Sequence, residues 1–276
     1  MNDGPTILVF DSGLGGLTVY REVAAVRPDA QYVYAADDAA FPYGDWKEGD
    51  LSDRVVSVIG NLIGRFEPNL IVLACNTAST LTLQDLRRKF SLAFVGTVPA
   101  VKPACANSRT KLVSVLGTEA TVAREYTRAL IRDFAQGCQV TLVGSTRLAV
   151  LAEDMLHGVR IDNDVIAAEI APCFVEKDGA RTDTVVLACT HYPLLLDRLK
   201  ATAPWPVTFI DPAAAIARRV QELLGPAPEQ MNGRSAHIFF TSGKRPSGPL
   251  LSALSGFGFG PVPVRPAGFD FNARSP

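Results

Sequence analysis

A chain of 276 residues that is 47% hydrophobic and 20% charged has the composition of an ordinary globular protein with one large domain or two small ones. Its formal net charge is −1 and no block of like charges occurs, which argues against nucleic acid or a membrane surface as a partner. No apolar run approaches the ~20 residues that span a bilayer, and the first apolar run begins too early for a signal peptide. We therefore expect a cytoplasmic protein.

Apolar runs alternate with amphipathic helical patterns in the first part of the chain. The expected order is strand, helix, strand, helix, strand, helix, strand, at residues 6–10, 17–26, 31–36, 51–66, 69–74, 77–90 and 93–96. A turn-rich loop at 37–45 separates the second strand from its helix. Strands that alternate with helices are typical of a parallel sheet covered by helices on both faces.

A second succession of the same kind starts at residue 110. A strand at 110–117 leads to a helix opened by Thr121, and another strand starts at Gln139. The later expected elements are helices at 146–157 and 162–177, a strand at 184–188, a strand at 207–210, a helix at 212–223 and a strand at 237–241. A Pro/Gly linker lies near 225–234, and the Gly/Pro-rich end is expected to be surface coil.

Matches between the two successions indicate an internal repeat. The segment that starts at Thr18 corresponds to the one at Thr121, Gln31 corresponds to Gln139, and two cysteine strands correspond, with offsets of 103, 108 and 114 residues. Insertions in a duplicated unit produce such a slowly growing offset. The predicted fold is α/β, with two similar doubly wound parallel-sheet domains related by pseudo-twofold symmetry and the active site in the cleft between them.

Breaks in the pattern near 97–99 and 205–207 indicate where the chain passes from one domain to the other. The first domain is expected to comprise residues 1–97 plus 208–276. Residues 98–207 form the second, inserted domain.

Each half contains an apolar strand that ends in a cysteine. Leu70–Ala74 leads to Cys75 and Thr184–Ala188 leads to Cys189, and small polar residues and an amphipathic pattern follow each. Open α/β sheets bind ligands at the carboxyl ends of their strands, and a helix N-terminus lowers the pKa of a nearby thiol. We interpret these two cysteines as functional thiols that flank one site.

The remaining cysteines, Cys105, Cys138 and Cys173, are interpreted as small buried hydrophobic residues. The odd total of five, the wide spacing and the lack of a recognisable secretion signal favour reduced thiols, and no Cys-x-x-Cys motif is present. With only three histidines and no zinc-ligand spacing, no metal site is predicted.

Other polar residues are expected near the cysteines. The stretch from Asp11 to Gly16 lacks the spacing of a dinucleotide loop, and is either a tight strand-to-helix turn or a donor of N–H groups to a carboxylate or phosphate. Asp11 would lie within reach of Cys75. His191 is either structural or holds a proton beside Cys189, and Glu153 lies on a predicted helix, where most glutamates are solvated.

Four short motifs together resemble the signatures of the glutamate racemase family. They are Asp-Ser-Gly-Leu-Gly-Gly at 11–16, Pro-Tyr-Gly at 42–44, Ala-Cys-Asn-Thr-Ala at 74–78 and Ala-Cys-Thr-His-Tyr-Pro at 188–193. Weaker similarities lie at 96–100 and 211–213, so the match covers nearly the whole chain in the right order. One departure is the absence of the basic residue that often precedes Pro-Tyr-Gly, where Ala39-Ala40-Phe41 stands.

The resemblance implies an isomerase that interconverts L- and D-glutamate without a cofactor and supplies D-glutamate for peptidoglycan synthesis, and hence for cell wall biogenesis and cell shape. It implies Cys75 and Cys189 as the catalytic acid/base residues, Asp11 and His191 as their assisting groups, and Glu153 as a further acidic helper. The implied substrate-binding residues are Asp11, Ser12, Tyr43, Gly44, Asn76, Thr77, Thr190 and His191. Glutamate is the expected partner, and a homodimer is the assembly considered.

Other functions are also compatible with these residues. A related racemase or decarboxylase of the same superfamily, such as one acting on aspartate, is the second choice. A carboxylate-binding protein without activity would not need both cysteines, and a pyridoxal phosphate enzyme or thiol hydrolase has no strong local motif to support it.

Overall fold

The computed structural model describes residues 4–135, 137–228 and 235–260. The chain divides into two compact units. The first comprises the residues up to Thr97 and those from Ala213 onward, and the second comprises Val98–Pro212.

Strands and helices alternate strictly in the first stretch of the first unit. They are β1 Thr6–Asp11, α1 Leu17–Val26, β2 Gln31–Ala36, α2 Glu48–Phe66, β3 Leu70–Leu73, α3 Asn76–Lys89 and β4 Ala93–Gly96. Single 3-10 turns at Asp38–Ala40 and Tyr43–Asp45 shape the loop between β2 and α2.

The second unit uses the same kind of alternation. Its elements are α4 Val101–Asn107, β5 Leu112–Thr118, α5 Glu119–Ala123, α6 Glu125–Phe134, β6 Gln139–Ser145, α7 Leu148–Leu156, α8 Asn163–Ile170, β7 Glu176–Lys177, β8 Ala180–Arg181, β9 Thr184–Ala188, α9 Leu196–Thr202 and β10 Thr208–Ile210. The chain then completes the first unit with α10 Ala213–Leu224, β11 Ser235–Phe240 and α11 Gly248–Gly256.

The two main sheets are parallel and share a strand order. The first sheet runs β11-β2-β1-β3-β4 and the second runs β10-β9-β5-β6. The order β2-β1-β3-β4 therefore recurs as β6-β5-β9-β10. The register recurs too, because Ile7 pairs with Leu70 as Val113 pairs with Thr184. The α/β class and the two parallel sheets predicted from the sequence are confirmed.

Side chains on both faces of the first sheet are buried. Leu8 and Phe10 of β1 pack in one cluster with Leu51 and Val55 of α2. On the other face, Tyr20 of α1 contacts the rings of β2 edge to face. Burying each large apolar side chain contributes about 1.5–3 kcal/mol, so helices on both faces are the arrangement that this continuous apolar run requires. The same clustering of α4 against β5 and β9 fills the second unit.

The sequence assigned one strand to the wrong unit. Residues 208–210 were expected in the first domain, but β10 pairs with β9 in the second sheet, and the chain returns to the first unit only at Ala213. A strand of three residues carries no local signal for the sheet that it joins.

Two predicted helices also differ from the fold, and two observed helices were not predicted. The helix expected at 162–177 ends at Ile170, where Pro172 cannot supply the next N–H, and a hairpin that turns at Asp178-Gly179 with positive φ follows. The helix opened by Thr121 is broken at Arg124, whose backbone is extended. Helices α4 and α11 were not predicted, and α11 occupies part of the end expected to be coil; residues 261–276 lie outside the described residues.

Among the described residues, none of the helices combines the length and the apolar character needed to cross a membrane.

Candidate active site

Cys75 is the N-cap residue of α3 and stands at the carboxyl end of the cysteine strand of the first unit. Its side chain is 5% exposed, and its sulfur accepts the Ala78 N–H at 3.5 Å as the cap of the helix. The Ser12 hydroxyl lies 3.7 Å from the same sulfur. A sulfur that receives an N–H at the positive end of a helix dipole is placed where a thiolate is stabilised.

Asp11 ends β1 and lies next to the cysteine strand. Phe10 pairs with Leu73, so Asp11 and Ser12 come level with Ala74 and Cys75. One Asp11 carboxylate oxygen accepts the Gly16 N–H at 3.0 Å. A Cβ on Gly16 would lie 2.8 Å from the Ala74 Cβ, so glycine is required for this close approach. The glycine-rich stretch is therefore a tight turn that also holds Asp11 beside the thiol strand.

Tyr43 is fixed from the carboxyl end of β2. Its hydroxyl donates to Asp37 at 2.5 Å, and both residues are buried. Burial and the adjacent Asp37 carboxylate raise the pKa of Tyr43 well above its ordinary value, so the hydroxyl stays protonated. The phenol proton is therefore committed to Asp37, and Gly44 follows directly in the same 3-10 turn.

Asn76 is a buried polar residue of this edge whose side chain lacks a partner, as do those of Ser79 and Thr97 nearby in the first unit. It is 2% exposed, and neither its Oδ1 nor its Nδ2 makes a hydrogen bond within the described chain. Buried amides are nearly always paired, so this one indicates a ligand or an ordered water. Thr77 follows it on the first turn of α3, also buried.

Cys189 follows β9 in the second unit and is backed by a histidine and a glutamate. Its sulfur lies 3.8 Å from Nδ1 of His191, whose Nε2 lies 2.7 Å from a Glu153 carboxylate oxygen. His191 is 2% exposed and Glu153, on α7, is 13% exposed. The structure thus brings together three of the predicted catalytic residues, Cys189, His191 and Glu153. Thr190, which lies between the cysteine and the histidine in the sequence, is also buried.

His191 is tuned to carry a proton. Burial lowers its pKa, but the hydrogen bonds to Cys189 and Glu153 and the Glu153 charge outweigh burial, and the net pKa is well above the ordinary value. When neutral, His191 donates through Nε2 to Glu153 and accepts the Cys189 S–H at Nδ1. When protonated, it donates to a thiolate. These two states differ by one proton moved between sulfur and imidazole, which is acid/base chemistry at the thiol.

The helix expected directly after each cysteine is present only in the first unit. A 3-10 turn at Tyr192–Leu195 follows Cys189, and α9 begins only at Leu196. A helix dipole therefore acts on Cys75 but not on Cys189, where the histidine provides the proton acceptor instead.

Sequence reasoning missed two residues of the second sheet edge. Thr118 occupies the register position beside Cys189 that Ser12 occupies beside Cys75, and its hydroxyl lies 2.9 Å from that of Thr121. Ser145, at the end of β6, donates to Glu169 at 2.7 Å. The signal that could have found them was the repeat itself, because Gln31 and Gln139 already matched the strands that end near Asp37 and Ser145.

The other cysteines lie outside these groups. Burial raises the pKa of Cys173 to about 12, and burial together with neighbouring Cys138 raises that of Cys105 to about 12. None of the five cysteines, all of which lie within the described residues, forms a disulfide. Within the described ranges, no three His, Cys, Asp or Glu side chains cluster in a way that could hold a metal ion.

Comparison with known proteins now bears on this geometry. The family model described as Asp/Glu/Hydantoin racemase matches residues 17–220, which include both cysteine strands. The chain belongs to the Asp/Glu/hydantoin racemase family. Among curated members, the glutamate racemase of Brucella canis is 53% identical over 256 residues, covering 91% of this chain and 92% of that protein. The glutamate racemase of Brucella anthropi is 52% identical over 255 residues, covering 91% of each.

Solved structures of the family share the fold. Escherichia coli glutamate racemase, crystallised with L-glutamate and the activator UDP-MurNAc-Ala, is 41% identical, with a TM-score of 0.85 over 93% of this chain and 96% of that one. The glutamate racemase of Aquifex pyrophilus is 29% identical, with a TM-score of 0.69 over 93% and 97%. The racemase fold predicted from the short motifs is thereby confirmed.

Proposed function

We propose that this chain interconverts L- and D-glutamate and thereby supplies D-glutamate for peptidoglycan synthesis in the cytoplasm. The observation that carries the proposal is the pair of buried thiols at equivalent ends of the two repeated sheets, each with its own proton-handling surroundings. Relatives more than half identical to this chain are glutamate racemases, which supports glutamate as the substrate.

Inversion of an α-carbon requires two acid/base groups, which explains the presence of two thiols. Inversion removes a proton from one face of the α-carbon and delivers another to the opposite face, which one base cannot do efficiently. A thiol with its ordinary pKa of ~8.5 can be a base or an acid near neutral pH. We assign Cys189 as the base for L-glutamate and Cys75 as the base for D-glutamate, each acting as the acid for the other enantiomer.

The steps balance without a cofactor. One thiolate takes the α-proton and becomes a thiol, its electron pair stays on the carbon, and the opposite thiol donates its proton and becomes the thiolate. Asp11 assists Cys75 and His191 with Glu153 assists Cys189. Because the α-proton is very weakly acidic, the N–H and amide groups near the substrate must stabilise the negative charge.

Substrate contacts are assigned to the polar residues at the two sheet edges. The unpaired amide of Asn76 is the strongest of these, because glutamate would satisfy it. Tyr43 would contribute its main chain, since its hydroxyl proton is used by Asp37. The other assigned contacts are Asp11, Ser12, Gly44, Thr77, Thr190 and His191, to which the structure adds Thr118.

The deciding experiment is chiral analysis of the product formed from L-glutamate by the purified protein without additives. We expect D-glutamate to accumulate to an equal mixture, and aspartate to turn over far more slowly, because its shorter side chain misplaces the distal carboxylate. Comparable turnover of aspartate would favour a different member of the family. No turnover of either amino acid would refute the proposal. Association into a homodimer stays a prediction, which light scattering would test.

A further inference from the structure

Asp37 is a fully buried carboxylate that collects donors from three separate parts of the first unit. Arg54 of α2 donates through Nε and Nη2 at 2.7 Å to each of its two oxygens. The hydroxyls of Tyr43 and Thr241, the latter just after β11, donate at 2.5 and 2.6 Å. Four donors on one carboxylate with 0% exposure form a satisfied network, because each oxygen is paired twice.

Arg54 is the positive charge of this network. The loop from Asp37 to Trp46 contains no lysine or arginine, so the charge that balances Asp37 comes from the following helix. The same guanidinium lies 5.7 Å from the centre of the Trp46 ring, and Trp46 Nε1 donates to the Ala40 carbonyl at 2.9 Å. Arg54 therefore touches the loop at both its ends, through Asp37 and through Trp46.

The geometry points to Arg54 as a positioning residue for substrate binding, which holds Tyr43 and Gly44 in place through Asp37. The inference deepens the proposed function, since it concerns the loop that we assign to glutamate. Arg54 itself would not touch the substrate. Its planar, bidentate contact fixes the orientation of the Asp37 carboxylate, which in turn holds the Tyr43 ring through the hydroxyl hydrogen bond.

A lysine cannot replace this contact. Its ammonium is a single point of charge, so Arg54→Lys keeps the charge but loses the paired hydrogen bonds and the flat contact with Trp46. A loosened loop should weaken substrate binding more than it slows the proton transfers, because both thiols and their supporting groups lie on other elements.

The matched control is Arg65→Lys. Arg65 lies on the same helix, and its guanidinium rests 5.1 and 5.4 Å from the ring centres of Phe66 and Phe239, away from the loop. We expect Arg54→Lys to raise KM for glutamate about 10-fold with kcat within about 3-fold of the original protein, and Arg65→Lys to change neither by more than about 2-fold. Thr241→Val removes a neutral donor to Asp37 and the acceptor of the Ala39 N–H in the same loop. It should shift KM in the same direction and serves if Arg54→Lys folds poorly.

Two further measurements separate positioning from mere stability. Hydrogen exchange of residues 38–46 should accelerate in Arg54→Lys but not in Arg65→Lys, whether or not the protein is a racemase. The KM increases of Arg54→Lys and Tyr43→Phe should be less than multiplicative when combined, because both act through Asp37.

The possible outcomes distinguish a positioning role of Arg54 from a purely structural one. The inference is overturned if Arg54→Lys and Arg65→Lys have the same KM for glutamate and the same hydrogen-exchange rates at residues 38–46. It is also overturned if exchange is faster in Arg54→Lys while KM is unchanged, or if the KM increases of Arg54→Lys and Tyr43→Phe multiply when the two substitutions are combined. If the original protein does not turn over glutamate at all, the proposed function fails, and the exchange result alone decides whether Arg54 orders the loop.

Discussion

Replacing Glu153 by glutamine tests the histidine-backed thiol most directly. Glu153→Gln keeps the size and the hydrogen-bonding reach of the side chain but removes the charge that lies 2.7 Å from Nε2 of His191. That charge is one of the causes that raise the pKa of His191. The pKa of His191 in the variant should therefore fall, and the imidazolium that supports a Cys189 thiolate should be harder to form.

The size of the effect follows from the contact. A hydrogen bond to a charged group contributes about 1.5–3 kcal/mol, and about 1.4 kcal/mol corresponds to a tenfold change in rate. We expect kcat/KM to fall by roughly 10- to 150-fold. Because enantiomers have equal free energies, the fall must be the same from L- and from D-glutamate.

The assay combines chiral kinetics with a proton-NMR titration of His191. Asp154→Asn is the matched control, since Asp154 neighbours Glu153 on α7 and loses its charge in the same isosteric way. A His191 pKa unchanged by Glu153→Gln, or a kcat/KM equal to that of Asp154→Asn, would refute the reasoning.

The same substitution has a consequence for stability. The folded pKa of His191 is raised, so its charge stabilises the fold fully below the unfolded value of ~6.5, and this contribution is lost as pH rises through the folded pKa. The difference in unfolding free energy between the original protein and Glu153→Gln should therefore be larger near about pH 6 than near about pH 9. Urea titrations at the two pH values measure it, and a difference that grows with pH would contradict the sign.

Three other predictions concern the thiols and the chemistry. Cys75→Ala and Cys189→Ala should each lower racemisation in both directions by more than about a thousandfold in a chiral assay. Cys173→Ala should keep its turnover and lose only stability through a small cavity. Near-normal activity of Cys75→Ala or Cys189→Ala would exclude the two-thiol mechanism. In deuterated water the early product should carry deuterium at Cα while remaining substrate is much less labelled, as mass spectrometry would show; equal labelling of both would indicate one base. Activity should survive chelators and need no pyridoxal phosphate, which a visible absorption band or loss of turnover would contradict.

The sequence predicts the sheet architecture and the positions of the two cysteines at strand ends well, for a definite physical reason. Continuous apolar strands and the abrupt change to polar residues at Cys75 and Cys189 are local signals. The contacts that complete the site are not local. Glu153 reaches His191 across 38 residues and Thr241 reaches Asp37 across 204, so no pattern within one element reveals either pair. Only the resemblance implies a role for Glu153; by its position alone it is a glutamate on a helix.

The repeat also predicted more symmetry than the thiols possess. Cys75 and Cys189 stand at equivalent register positions, but a helix cap and a serine hydroxyl support the first, and a histidine–glutamate pair supports the second. The difference arises after the strand, where α3 starts at once in one unit and a 3-10 turn delays the helix in the other. Similar strands therefore do not imply similar thiols.

This asymmetry sharpens the prediction for Glu153→Gln. Under the proposed assignment, L-glutamate would be bound by the form of the protein in which Cys189 is the thiolate, and the substitution would destabilise that form. With L-glutamate as the substrate, the loss of free energy appears in substrate binding, so KM should rise while kcat is retained. With D-glutamate as the substrate, the substitution leaves the substrate complex unaffected but destabilises the transition state, so kcat should fall while KM is retained. Both ratios kcat/KM drop equally, as the equal energies of the enantiomers require. The opposite split, with KM rising only for D-glutamate, would assign the histidine-backed thiol to the other face.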